Sequence, residues 1–292
     1  MRRIAHISDL HFGCTNPDVV EGLITELNAD RPDLIVISGD FTMRSRQVEY
    51  RQAQAFLNRL TSRWIGVPGN HDIACFPLPG RFIRPFQRYC CFIAEETEPT
   101  FLDEEIGVVC LNTVRTWAPD PDWSQGRIGR EQILRAGARL AALPPHVFRI
   151  VVGHHPFAPP PWNEKARLVG RAGAALDAFR RHHVGLTLAG HFHRHYSRFV
   201  TVDGVQRDAA CAIGGQQLLV VQAGSATSTR LRGREPNAYN RIVVENGAAT
   251  VTVRLWNGAD WQDAPCSTGV SKLFVDPSGT RNAGLATERA AT

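Results

Sequence analysis

The chain has 292 residues, 43% of them hydrophobic and 21% charged, with a formal net charge of +5. That balance is of an ordinary soluble globular protein and excludes collagen-like, disordered and small disulfide-stapled classes. A chain of this length buries roughly 75% of its unfolded surface and needs no staple, and no apolar run approaches the roughly 20 residues of a membrane span. Apart from Lys165 and Lys272 the positive charge is arginine. It is scattered, with modest clusters at Arg180-Arg181 and Arg230–Arg234, so a nucleic-acid duplex is not expected as a partner. The first nine residues meet a charge too early for a signal peptide, so the expected compartment is the cytoplasm. Seven cysteines without a CxxC spacing exclude a zinc ribbon or thioredoxin-like site. Adjacent Cys90-Cys91 read as buried or inert thiols rather than a redox pair.

In chain order, Ile4–Ser8 reads as a strand, and Val19, Val20, Leu23, Ile24 and Leu27 recur at helical spacing. Leu34–Ile37 is a continuous apolar run, the mark of a strand buried on both faces. A helical stripe of Tyr50, Ala53, Leu57 and Leu60 precedes a strand at Trp64–Val67, stopped by Pro68-Gly69. After a less patterned stretch, Val108–Leu111 reads as a strand, Gly129–Leu143 as a helix, Phe148–Val152 as a strand, Leu168–Arg181 as a helix and Val184–Ala189 as a strand. This alternation predicts an α/β sheet covered by helices on both faces. Beyond Tyr196 the pattern turns to strands at Phe199–Val202, Gln217–Gln222, Arg241–Glu245 and Ala249–Trp256, with Asn246-Gly247 as a hairpin turn. The expected organisation is one domain over 1–266, its α/β part at 1–196 and its β-rich part at 197–266, followed by a flexible tail at 267–292. The long loops 115–128 and 156–167 are rich in Pro, Trp and charge and read as rims or insertions. Their Trp117, Trp123 and Trp162 are candidates for stacking a base or for anchoring the loops.

Residues able to hold a metal follow nearly every strand of the α/β part: Asp9-Leu10-His11, Gly39-Asp40, Gly69-Asn70-His71-Asp72, Gly153-His154-His155-Pro156 and Gly190-His191-Phe192-His193. Each motif alone is common. Their occurrence in series, each after a strand, places carboxylates, an amide and imidazoles at one sheet edge, where open α/β sheets bind ligands. Oxygen and imidazole donors without thiolate suit Mn, Fe, Co or Zn, and a carboxylate can bridge two such ions. His6 reads as a core histidine, and His182-His183 as the solvated end of a helix.

This series, covering residues 4–193, resembles the calcineurin-like metallophosphoesterase family. The stretch from Ala223-Gly224-Ser225 through Pro236-Asn237-Ala238-Tyr239-Asn240 is similar to C-terminal sequence in its bacterial phosphodiesterases. The resemblance implies a four-layer αββα sandwich of two mixed sheets in place of one doubly wound sheet. It implies that Asp9, His11, Asp40 and His193 hold one metal and that Asp40, Asn70, His154 and His191 hold the other, with His154 favoured over His155. It also implies in-line attack on phosphorus by a hydroxide held between the metals. His71 matches the family's histidine beside the scissile phosphate, as general acid or hydrogen-bond donor; Asn70 and His195 are further candidates for substrate contact. Asp72 orients His71 or packs structurally, and the sequence leaves both open. Met43 stands where purple acid phosphatases place a tyrosine ligand, and Met43-Arg44-Ser45 where phosphoprotein phosphatases carry Asp-Arg-Gly. The remaining resemblance is to the bacterial cyclic-nucleotide and broad-specificity phosphodiesterase branch. It implies two transition-metal ions, a small phosphodiester substrate with 3′,5′-cyclic nucleotides first, no membrane partner, and a homodimer as a compatible assembly. A nuclease, or a phospholipid or pyrophosphate hydrolase on the same site, is the rival enzyme reading; a metal-free scaffold on this fold is the rival from another class.

Overall fold

The computed structural model describes residues 1–73, 82–117, 122, 124–200, 206–207, 217–233, 235–265 and 271–274. Along the chain the elements are β1 (Arg2–Ile7), α1 (Pro17–Asp30), β2 (Leu34–Ile37), α2 (Gln47–Leu57), β3 (Trp64–Gly66), a 3-10 turn at Asn70–Asp72, α3 (Gln87–Phe92), β4 (Thr100–Leu102) and β5 (Ile106–Cys110). They continue with α4 (Arg130–Ala141), β6 (Phe148–Val152), α5 (Ala172–Arg181), β7 (Val184–Ala189), β8 (Tyr196–Val200) and β9 (Gln206–Arg207). The last are β10 (Leu218–Gln222), β11 (Ala238–Glu245), β12 (Ala248–Trp256), β13 (Trp261–Asp263) and β14 (Ser271–Phe274).

These strands form two mixed sheets. One runs β13-β12-β11-β1-β2-β3 with β14 also paired to β12; the other runs β4-β5-β6-β7-β10-β8-β9. The continuous apolar runs follow from burial on both faces. Ile4 and Val36 point into the inter-sheet core with Val108, Ile150 and Leu219. Their neighbours Ala5 and Ile35 point outward under α1 and α2, while Val109, Val151 and Val220 meet α4 and α5 on the opposite outer face. The layers are therefore helix, sheet, sheet, helix. Strands after Tyr196 complete both sheets: β10 pairs parallel to β7, and β11 pairs antiparallel to β1. These are the two mixed sheets of the four-layer αββα sandwich that the resemblance implies, in place of the one doubly wound sheet that the alternation alone predicts.

Local chemistry sets the boundaries. Asn16 Oδ1 accepts from the Asp18 amide at 3.0 Å, and Pro17 occupies the first helical position, where its missing N–H costs nothing. α1 stops at Arg31, which takes a left-handed φ of 48°. The helix expected over Leu168–Arg181 begins only at Ala172, and α3 and β4 occupy the stretch without a clear pattern. Ser271–Phe274, expected in a loose tail, pairs with β12; the rest of 267–292 lies outside the described residues, as do Trp123, Cys75, Cys211 and Cys266. Cys90 and Cys91 are exposed rather than buried, and Cys110 is buried. Among the described residues no helix is long and apolar enough to cross a membrane.

Candidate metal centre

The motif residues meet at the carboxyl ends of β1, β2, β3, β6 and β7. Asp9, His11, Asp40, His191 and His193 all leave their strand ends with positive φ, at 53°, 52°, 55°, 80° and 59°. A left-handed conformation is costly for a residue with a Cβ, and such outliers concentrate where function holds them. Here main-chain hydrogen bonds between the strand ends hold the bend: Asp9 N–H donates to Gly39 O at 3.1 Å and His11 N–H to Asp40 O at 2.9 Å. The glycines allow the carboxylates in. A Cβ on Gly69 would lie 2.1 Å from Asp40 Oδ1, and one on Gly190 would lie 1.8 Å from Ser8 Oγ and 2.6 Å from Asp9 Oδ2.

Asp9, His11, Asp40 and His193 offer ligand atoms all within 4.8 Å of one another. His11 Nε2 lies 3.1 Å from His193 Nε2 and 3.6 Å from Asp40 Oδ2, and His193 Nε2 lies 3.4 Å from Asp9 Oδ1. On the other side of Asp40, His154 Nε2 stands 3.3 Å from Asp40 Oδ2 and 3.1 Å from Asn70 Oδ1. His191 Nδ1 is 3.1 Å from the same Asn70 oxygen. Asp40 is the carboxylate common to both groups.

The donor set fits cations. His154 Nδ1–H donates to Ser38 O at 2.7 Å, and His193 Nδ1–H donates to Arg230 O at 2.8 Å. In the neutral rings each Nε2 then carries a lone pair, directed at carboxylate or amide oxygens that are acceptors too. Buried acceptors facing acceptors repel unless a proton or a metal stands between them. Burial pushes the His154 ring toward neutrality, but Asp40 overrides it and raises the pKa to about 9. A proton thus sits in the metal-free protein where a cation fits. The backbone carbonyls of Ser38 and Arg230 hold these two imidazoles in the orientation a metal ligand needs.

His155 also has a ring nitrogen close to those of His154 and His191, but both its nitrogens are engaged elsewhere. Nδ1 pairs with Thr113 Oγ1 at 2.7 Å, and Nε2–H donates to Ser124 O at 2.8 Å. Burial, then the neighbouring His191 and His154, hold its pKa well below the ordinary value, so the ring stays neutral. It packs on His191 at 4.8 Å between centroids and edge-on against His154 at 4.9 Å.

His71 sets its ring edge-on to His11 at 4.8 Å, and its Nδ1–H donates to Met43 O at 2.7 Å. Asp72 does not orient that ring. Its oxygens accept from Phe41 N at 3.1 Å, Thr42 N at 2.8 Å, Gly69 N at 2.9 Å and Thr42 Oγ1 at 2.9 Å. Asp72 is therefore a brace joining the loops after β2 and β3, which corrects its candidacy as a catalytic residue. His195, a candidate for substrate contact, faces Glu235 instead, with Nδ1 3.3 Å from Oε2. Trp162 lies under Arg194, whose guanidinium carbon is 3.7 Å from the ring centroid, and Trp117 is exposed. Sequence reasoning missed Thr113, although it too follows a strand. The 225–229 segment, noted in the sequence only for its likeness to bacterial phosphodiesterases, has a structural role: Ser225 Oγ donates to Asp9 O at 2.8 Å and Thr227 Oγ1 to Leu10 O at 2.7 Å, clamping the loop that carries Asp9 and His11.

Two mixed sheets that gather oxygen and imidazole donors at one edge make a site suited to metal ions. The sequence profile described as calcineurin-like phosphoesterase matches residues 2–195, and the chain belongs to that family. It is 28% identical over a 304-residue alignment to the cAMP/cGMP dual specificity phosphodiesterase MT0825 of Mycobacterium tuberculosis (strain CDC 1551 / Oshkosh), covering 94% of this chain and 88% of that protein. It is 40% identical over 85 residues to the glycerophosphodiester phosphodiesterase GpdQ of Enterobacter lignolyticus (strain SCF1), covering 25% of this chain and only 31% of that protein. In fold it is similar to the purple acid phosphatase PPD1 of yellow lupin (Lupinus luteus) seeds, with a TM-score of 0.65 and 12% identity over 99% of this chain and 57% of that one. A dimetal phosphatase of Danio rerio aligns with a TM-score of 0.58 and 14% identity over 90% of this chain and 98% of that one.

Proposed function

We propose that the chain is a dinuclear-metal phosphodiesterase acting on small phosphodiesters, with 3′,5′-cyclic nucleotides the first substrates. The observation that carries this reading is the two-lobed donor set around Asp40. Asp9, His11, Asp40 and His193 would hold one transition-metal ion, and Asp40, Asn70, His154 and His191 the other. When bound, the ions supply an activated water and neutralise charge on the phosphoryl group. The chain's own residues do the rest. Asn70, on the 3-10 turn, places its amide oxygen between two imidazoles. His71 has its Nδ1–H committed to Met43 O, which leaves Nε2 to meet a phosphoryl or leaving-group oxygen and, when protonated, to pass it a proton. The likeness to a cyclic-nucleotide phosphodiesterase over 94% of the chain supports the substrate; the shorter likeness to a glycerophosphodiester phosphodiesterase supports a second substrate class on the same site.

The test is a hydrolysis screen of metal-reconstituted protein with cyclic AMP, cyclic GMP, 2′,3′-cyclic nucleotides, glycerophosphodiesters and single-stranded DNA, alongside bis(p-nitrophenyl) phosphate and its monoester. Cyclic nucleotides and the diester should be cleaved faster than the monoester. His71→Ala should lose about 10²–10⁴-fold in turnover while keeping its metal. A clear monoester preference, or a folded protein that takes up no metal, overturns the reading.

A further inference from the structure

Arginines that are dispersed in the sequence gather on one side of the metal centre. Arg44 and Arg46 flank Ser45, Arg88 Nη1–H donates to Ser45 O at 2.5 Å, and Arg230 Nη1 reaches Met43 Sδ at 3.5 Å. All four side chains are exposed. Among the described residues no carboxylate lies in ion-pair range of any of them. The one carboxylate at this turn, Glu49, is 4% exposed and accepts from the main-chain amides of Arg44 at 2.8 Å and Arg46 at 3.1 Å. The turn is also the support of His71, whose Nδ1–H donates to Met43 O, and Arg230 O orients His193. The Arg230 backbone is itself fixed, its N–H donating to Ser228 Oγ at 3.0 Å. Three arginines at or beside the loops 115–128 and 156–167 differ. Arg167 pairs with Asp122 at 3.7 Å, Arg198 with Glu164 at 2.5 Å, and Arg194, stacked on Trp162, with Glu235 at 2.7 Å. Among the described residues, positive charge is thus left without an ion-pair partner on the His71 side.

We propose that Arg44, Arg46, Arg88 and Arg230 form a cationic rim that selects substrates by the charge of the alcohol carried past His71. Diesters of neutral or anionic alcohols, such as nucleosides, are favoured over those of cationic alcohols such as choline. This rests on the phosphodiesterase reading and narrows its substrate class. A guanidinium cannot lose its proton at working pH, so the bias is permanent, and because the groups face solvent it is screened by salt.

The experiment compares kcat/KM for glycerophosphoglycerol and glycerophosphocholine, two diesters of similar size that differ in head-group charge. The wild-type holoenzyme should prefer the glycerol ester by about tenfold at low ionic strength, and the ratio should approach one in about 0.5 M salt. Arg44→Glu/Arg230→Glu, on exposed positions, should keep the metal content and shift the ratio toward choline. A ratio that ignores both salt and charge reversal overturns the proposal. Calorimetric binding of inorganic phosphate to the same holoproteins separates the two readings. Binding weakened at least fivefold by charge reversal supports the rim even where no diester is hydrolysed, an outcome that would sink the phosphodiesterase reading alone. Unchanged phosphate binding overturns the rim.

Discussion

His154 and His155 are neighbours in sequence and opposite in environment. His154 turns Nε2 to Asp40 and Asn70, whereas His155 spends one nitrogen on Thr113 and the other on Ser124 O. His154→Ala should therefore lose one metal per chain and nearly all activity. His155→Ala should keep both metals but free the Ser124 carbonyl and loosen the packing on His191, costing part of the activity. Metal counts on the two purified variants check this, and metal loss confined to His155→Ala would reverse the assignment. His6 is a different kind of buried histidine. Its ring bonds Ser38 Oγ at 2.9 Å and Asn240 at 3.1 Å, and burial lowers its pKa to about 3. The unfolded chain binds a proton at His6 below about pH 6.5 that the folded chain refuses, so this histidine makes stability fall as pH drops from 6.5 toward 3. The variant His6→Gln lacks that loss. Its stability deficit against the wild type at pH 7 should narrow by about 1 kcal/mol per pH unit between pH 6 and 5, measured by urea melts of the metal-free proteins.

At the scale of elements, the strand ends do the chemical positioning and the helices hold the strands. α1 packs its middle against the C-terminal strands so closely that a Cβ on Gly22 would lie 2.4 Å from the Trp256 ring. Alanine in place of glycine inside a helix ordinarily gains about 0.5–1 kcal/mol. Here overpacking costs about 1–3 kcal/mol, so Gly22→Ala should lower the denaturation midpoint instead of raising it. The same scale shows why sequence adjacency alone leaves the roles of Asp72 and His195 open. Periodicity shows that a residue follows a strand, but the left-handed bends after β1, β2 and β7 and the 3-10 turn after β3 decide which way its side chain goes. Asp72 turns back to the amides of Phe41, Thr42 and Gly69, and His195 turns to Glu235.

For the whole molecule, the candidate ligands come from both sheets and must come together before a cation could bind them, so metal affinity would be folding energy. Asp9, Asp40 and Asn70 follow strands of one sheet, and His154, His191 and His193 follow strands of the other. Removing metal with a chelator should lower the melting temperature and adding it back should restore it. A metal at about 100 times its Kd contributes about 2.7 kcal/mol. Asp40→Asn, which strips the shared carboxylate from both groups, should shrink that gap between chelated and metal-loaded samples. An undiminished gap would show that the metal responsible binds elsewhere.

Read alone, the sequence picks out the candidate metal-holding residues as a set, because few residue types ligate metals through oxygen and imidazole and here each cluster follows an apolar strand. It also determined the helix-facing stripes, since periodicity is a local property. The folded chain alone fixes which nitrogen of His71, His154 and His193 is free, because the partners that settle it are main-chain carbonyls of Met43, Ser38 and Arg230, and a carbonyl has the same chemistry whatever residue carries it. It alone also gathered Arg44, Arg46, Arg88 and Arg230 beside His71, since charge clustering depends on which distant segments the two packed sheets bring to one rim.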